Sequence, residues 1–305
     1  MGLDGVEGGR RMEATAAVPG CCGELVEGLL GECDFLISCP VNLASVVTVR
    51  LEPHGQRVLV PPGKEKTRRA VETTLRYLGR PDWGARVEVN SSLPPGKGMG
   101  SSSADVCAAI AATALAFGRQ LDYGELARLA VSVEPTNSTF LPGLALFDHL
   151  EARFLQFLGP PPAMALLVVD CGGEVDTLAF NRRPDLRGLR RLNQPLTNRA
   201  LKLIGLGLTQ RDPRLVARGA TLSAWANQRI LPLPLFRPLL RWALSRGAWG
   251  VNVAHSGTVM GIFIDPSRPD LAVLAEELTR AFPQVERVYW LEVVPGGIVT
   301  SGAKV

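Results

Sequence analysis

The stretch Leu93-Pro94-Pro95-Gly96-Lys97-Gly98-Met99-Gly100-Ser101-Ser102-Ser103-Ala104 runs a glycine-rich turn straight into an alanine-rich segment that reaches Phe117 without Pro or Gly. Glycine at every second position (Gly96, Gly98, Gly100) permits backbone conformations and close approaches that a β-carbon would block. The segment from Ser101 to Phe117 reads as a buried helix, with Val106, Cys107, Ile110 and Leu115 among the alanines. Its N-terminus offers amides and hydroxyls to an anion. Capping by Ser101, Ser102 or Ser103 would account for a tight connection, but it needs neither so many glycines nor three consecutive hydroxyls. Phosphate binding follows. The loop lacks the Gly-Lys-Ser/Thr ending of a Walker A loop and the spacing of a dinucleotide fingerprint.

The 305 residues are enough for a substantial core and for two lobes. With 46% hydrophobic and 20% charged residues the composition is that of a globular protein. No apolar run reaches the roughly 18 to 20 residues of a membrane span, and Met1 to Glu13 lacks a signal-peptide core, so a soluble cytoplasmic protein with no membrane partner is expected. The formal charge of +4 is modest. The basic cluster from Asn181 to Arg191 has no interleaved aromatic residues, which favours a solvated face over a nucleic-acid surface. Six cysteines are present without a Cys-x-x-Cys pair, and adjacent Cys21 and Cys22 are poorly placed for one tetrahedral ion; buried packing is the expectation.

Pro94, Gly98, Met99, Gly100, Ser101, Ser102 and Ala104 fill the pattern Pro-x-x-x-Gly-Leu-Gly-Ser-Ser-x-Ala, with Met for Leu. That pattern resembles the central motif of the GHMP kinases, the superfamily of galacto-, homoserine, mevalonate and phosphomevalonate kinases. Val18 to Gly28 is similar to the first family motif, a Pro-Gly turn leading to Gly23-Glu24. Gly250 to Gly261 is similar to a degenerate third motif. Within the superfamily, Pro19-Gly20-x-Cys22-Gly23-Glu24-Leu25, Ser38-Cys39-Pro40-Val41, Glu134-Pro135-Thr136-x-Ser138-Thr139, Leu146-Phe147-Asp148-His149 and Ala254-His255-Ser256-Gly257 resemble the L-threonine kinases of cobalamin biosynthesis.

The resemblance implies an α+β fold of two lobes: an N-terminal ATP-binding domain over 13–160, like the second domain of ribosomal protein S5, and a ferredoxin-like C-terminal domain over 161–305. The break is placed at Gly159-Pro160-Pro161-Pro162. It also implies ATP and Mg2+ as cofactors and L-threonine as the acceptor. Homoserine or another small alcohol is the alternative acceptor, and a non-catalytic ATP-binding sensor is the alternative class.

A kinase must hold the triphosphate, neutralise charge on the transferred group and place the acceptor hydroxyl in line. Pro95 to Ala104, comprising Pro95, Gly96, Lys97, Gly98, Met99, Gly100, Ser101, Ser102, Ser103 and Ala104, is the expected nucleotide loop, Lys97 being either a phosphate contact or merely solvated. By the family resemblance Ser102 and Glu134 hold magnesium, with Glu125 the alternative ligand. Asn137 stands where many members carry a catalytic aspartate. An amide cannot be a general base. Asn137 would then act by positioning, and Asp148 is either a substitute base or a cap. Glu24 and Glu27 are candidates for an acceptor ammonium. His255 and Ser256 are candidates for the acceptor or nucleotide site, placed at a turn between strand and helix; Cys39 and Pro40 are candidates only for shaping its wall.

Strand signals fall at Ser45 to Leu51, Arg86 to Val89, Met164 to Asp170, Thr258 to Ile264 and Val285 to Val294. Helical spacing falls at Lys64 to Leu78, Leu121 to Val133, Leu201 to Thr209, Pro213 to Gln228, Phe236 to Arg246 and Asp270 to Phe282. Residues 1 to about 12 read as a loose tail. Without a regular βαβ alternation the pattern favours α+β.

Overall fold

The computed structural model describes residues 12–301 except 56, 174 and 176; the expected tail lies, apart from Met12, outside the described residues. Two long antiparallel strands open the fold, β1 (Glu13–Leu30) and β2 (Cys33–Glu52). After them come β3 (Val58–Leu59), α1 (Glu65–Tyr77), β4 (Gly84–Ser91), α2 (Ser101–Ala116), α3 (Tyr123–Val133), β5 (Leu144–Phe147) and β6 (Leu155–Gly159). The second half holds β7 (Ala165–Asp170), α4 (Thr177–Asn181), α5 (Leu186–Gln210), α6 (Pro213–Asn227), α7 (Phe236–Ser245), β8 (Gly250–Val253), β9 (Val259–Ile264), α8 (Leu271–Ala281), β10 (Arg287–Glu292) and β11 (Val299–Ser301).

The strands form one sheet in the order β10-β7-β9-β8-β1-β2-β4-β3, with β11 added to β1 and the β5–β6 hairpin hung from β2. Intermixed helices and a mainly antiparallel sheet make the fold α+β, as expected. The first motif, expected as a Pro-Gly turn, lies inside β1. There the register against β2 shifts three times between Pro19 and Val26. Such bulges bend a strand and re-aim its side chains. The bend lets Glu24 pair with Val253 of β8, so β1 joins the strands of both halves.

The alanine-rich segment forms α2 and is buried at nearly every position. A helix apolar on all faces belongs inside a fold, and α2 packs on β1 and β2 and under α1 and α3. Asp122 and Glu125 close a reciprocal capping box that starts α3. The other helices expected from spacing are present, but α5 runs far beyond Leu201 to Thr209, through an interior Pro195. That proline removes one backbone donor. Packing against α6 and β1 carries the helix across it. The hairpin β5–β6 and strands β3, β8 and β11 carried too little pattern to be read.

Candidate active site

The glycine loop is built by close backbone approach. Gly100 precedes α2 in a left-handed conformation (φ 71°), and a Cβ there would lie 2.3 Å from Asn137 Nδ2. At Gly98 (φ 83°) a Cβ would lie 2.5 Å from the Cβ of Ala254 and 2.9 Å from the Cα of Gly257. The Met99 carbonyl accepts from the Cys21 amide at 3.0 Å, and the Lys97 carbonyl accepts from the Thr258 and Val259 amides at 3.1 and 3.3 Å. Segments far apart in the chain are thereby stitched together through main chain. No side chain caps α2, so its first-turn amides have no partner within the helix and face a cavity of about 380 Å³.

Pro95, Gly96, Gly98, Met99, Gly100, Ser101, Ser102 and Ser103 line that cavity, as do Glu24, Glu134, Asn137, His255 and Ser256. Two residues of the expected nucleotide loop do not. The Lys97 ammonium turns to Asp170 Oδ2 (3.1 Å), Glu286 Oε2 (3.0 Å) and the Gly173 carbonyl (3.1 Å), because three oxygens there outcompete solvent. Its pKa is raised, chiefly by Glu286. Ala104 lies in the interior of α2, fully buried, its amide closing the first turn onto Gly100.

Ser102 Oγ donates to Glu134 Oε1 at 2.5 Å, and the other carboxylate oxygen pairs with Lys66 Nζ at 2.5 Å. This pairing of a hydroxyl and a buried carboxylate suits magnesium, which takes oxygen ligands and commonly only one or two from protein. Glu125 is remote: it is engaged with Asp122, Tyr77 and Arg119, which removes it as the alternative ligand. Asp148 is likewise no base for the site. Its carboxylate accepts from the amides of Leu150, Glu151 and Arg153, as a turn cap does. Asn137 Oδ1 is occupied by Thr139 Nα and Oγ1 (3.2 and 2.8 Å), leaving Nδ2 directed at Cys21 Sγ (3.7 Å).

The remaining wall is acidic and imidazole-rich. Glu24 accepts from the His255 amide at 2.6 Å, and burial raises its pKa to about 8. Glu27 stands behind His255 rather than on the cavity, its carboxylate against Nδ1. Burial lowers the His255 pKa to about 4, so the ring is neutral at pH 7. A proton on Nδ1 faces Glu27 and leaves Nε2 to accept from Arg190 Nη2 at 3.2 Å. The turn that carries His255 joins two strands, β8 and β9, rather than a strand and a helix. Cys39 is fully buried behind Cys21, which lines the cavity; neither Cys39 nor Pro40 does. Among the described residues no group of three or more His, Cys, Asp or Glu could hold a metal ion.

Several site residues escaped the sequence reading. Lys64 pairs with Asp105 Oδ2 at 2.7 Å, and Ser45 Oγ donates to Oδ1 at 2.5 Å. An aspartate inside an alanine run was the available signal, since a buried charge demands partners. The basic cluster from Asn181 to Arg191 is solvated only in part. Arg187 and Arg191 pair with Glu32 at the surface, but Arg190 is 4% exposed and pairs with Asp34. His149, 3% exposed, also lines the cavity.

The family model for the GHMP kinases N terminal domain matches residues 65–141, and that for GHMP kinases C terminal matches 201–284. The L-threonine kinase of Salmonella typhimurium is 37% identical over 93% of this chain and 95% of its own length. The L-threonine kinase of Citrobacter freundii is 34% identical over 93% of this chain and 99% of its own. A solved structure, MDDEF in complex with MVAPP, AMPPCP and magnesium, shares the fold with a TM-score of 0.72, over 96% of this chain and 100% of that one at 15% identity. Sequence similarity that runs through both halves, on a sheet that joins them around a serine–glutamate pair and a glycine turn, places the chain among the GHMP kinases.

Proposed function

We propose that the chain transfers the γ-phosphoryl group of ATP to the hydroxyl of L-threonine, giving O-phospho-L-threonine and ADP. The observation that carries the acceptor is similarity to L-threonine kinases at 37% and 34% identity over 93% of the chain. The observation that supports the donor is the uncapped α2 terminus opening on the cavity.

In this reading the amides from Gly98 to Ser103 cradle the phosphates, while Ser102 and Glu134 hold magnesium. The ion supplies neutralisation of phosphate charge when bound. Lys66 balances Glu134 from the cavity edge. Asn137 presents only its amide N–H groups, so it orients the acceptor and the hydroxyl proton passes to the phosphate oxygens. Glu24, protonated in the empty site, releases that proton to solvent as it takes the ammonium of the amino acid, because the cation favours the ionised carboxylate, and His255 and Ser256 close the acceptor side. Residues 13–160 form the nucleotide lobe and 161–305 the second lobe. The enzyme would work in the cytoplasm, and its product would serve cobalamin biosynthesis. Among the described residues no helix is long and apolar enough to cross a membrane.

The test is ADP release at saturating ATP and magnesium with L-threonine, L-serine, L-homoserine and mevalonate, the product being identified by phosphorus NMR. L-Threonine is expected to lead in kcat/KM by about tenfold or more. A preference for homoserine would change the acceptor, and no turnover with any of the four would favour a binding protein.

A further inference from the structure

His149 has no task in the scheme above. It is 3% exposed and lines the cavity, yet neither Nδ1 nor Nε2 has a hydrogen-bond partner among the described residues. A buried polar group left unpaired costs free energy that a bound ligand can recover. The residue is held firmly in place. Its carbonyl accepts from the Thr136 amide at 3.0 Å, which ties it to the segment bearing Glu134 and Asn137. The Asp148 cap fixes the turn that follows. The ring meets that of His255 edge-on, with centroids 5.1 Å apart.

The surroundings select the kind of ligand. His255 donates its amide to Glu24, so Glu24, His255 and His149 are successive parts of one wall. One end of that wall carries the Glu24 carboxyl, which an ammonium would draw into its ionised form. The other stands near the Arg190 guanidinium, whose positive charge, with burial as the larger cause, lowers the His149 pKa to about 3. A ring kept neutral beside a cation is a poor base, but it retains an N–H donor in a positive field. A zwitterionic acceptor laid along the wall would put its ammonium at Glu24 and its carboxylate at His149.

We propose that His149 reads the carboxylate of the acceptor, donating a hydrogen bond to it and so selecting α-amino acids over simple alcohols. The inference rests on the acceptor being an amino acid, as proposed above.

The test compares L-threonine with 1-amino-2-propanol of the same hydroxyl configuration, which lacks only the carboxylate. His149→Phe is expected to raise KM for L-threonine by about 10- to 100-fold. It should leave KM for 1-amino-2-propanol and for ATP within about twofold. His149→Gln, which keeps an N–H donor, should recover part of the loss. An equal change for both acceptors overturns the proposal, as it would if the ring paired only with water. Should the Phe variant not fold, a crystal structure of the wild-type protein with L-threonine decides the matter. A carboxylate oxygen within hydrogen-bond distance of a His149 nitrogen supports the assignment, and any other group there overturns it. Failure of the proposed acceptor is read separately, on the wild-type enzyme alone. If only homoserine turns over, the same ratio is measured with homoserine and 3-amino-1-propanol; if no carboxylate-bearing acceptor turns over, both proposals fall.

Discussion

Ser102 and Glu134 share one short hydrogen bond, and each has a different second obligation: Ser102 lies in the first turn of α2, and Glu134 is balanced by Lys66. Removing the hydroxyl leaves the amide cradle intact. Ser102→Ala is therefore expected to lower kcat on the order of 100-fold with ATP KM little changed, as for other losses of transition-state charge stabilisation; steady-state kinetics would show it, and an unchanged kcat would remove Ser102 from the site. Glu24 carries a pH signature. Its pKa stands at about 8 in the fold against 4.5 for a glutamate in water, so between those limits the folded state holds a proton that the unfolded state has lost. Its contribution to stability is complete below pH 4.5 and is lost as pH rises toward 8. The groups around it, Cys21, Cys22, Cys39 and the His255 amide, supply no cation to offset this. Glu24→Gln should remove that slope, so the Tm advantage of the variant over wild type should grow from pH 5 to pH 8. A constant difference would contradict the buried-acid assignment.

At the level of elements, the glycine loop is the most demanding. Gly98 combines a φ of 83° with a position where a Cβ would strike Ala254 and the Gly257 main chain. Gly98→Ala should destabilise the protein by about 1–3 kcal/mol in denaturant unfolding and weaken ATP binding, since the amides it carries would shift. Helices were legible where apolar spacing was bounded by Pro, Gly or a capping pair, as in α2, α3 and α6. The strand that bears the first motif was not, because Pro19, Gly20 and Gly23 read locally as a turn, whereas the bulges they create are stabilised by partners on β2 and β8. Helix α5 begins well before the Leu201 to Thr209 segment that spacing predicts, and tertiary packing carries it through Pro195, a residue that locally disfavours a helix interior.

Across the whole molecule, the candidate site divides by how its residues are carried. Those within one motif, Gly96 to Ser103, could be read from the sequence because neighbours along the chain are neighbours in space. Arg190, Lys64 and Lys66 could not, and His149 stood in a quoted segment without a role, since what makes them site residues is an approach across the fold. Lys97 shows the converse: its position in the loop suggested a phosphate contact, but its partners lie on β7 and just before β10. Lys97→Ala should accordingly leave ATP KM within about threefold while lowering Tm. A much larger rise in KM would return Lys97 to the phosphates.

The main-chain stitching of Gly98 to Gly257 and of Lys97 to Thr258 also bears on how such a chain can be recombined. The two loops are one joint built from two non-adjacent stretches of the chain, with no side-chain slack to absorb a change in length. An insertion in either loop must be matched in the other. A chimaera of two such kinases cut between the lobes would keep a working joint only where both parents supply loops of the same length and the same glycines.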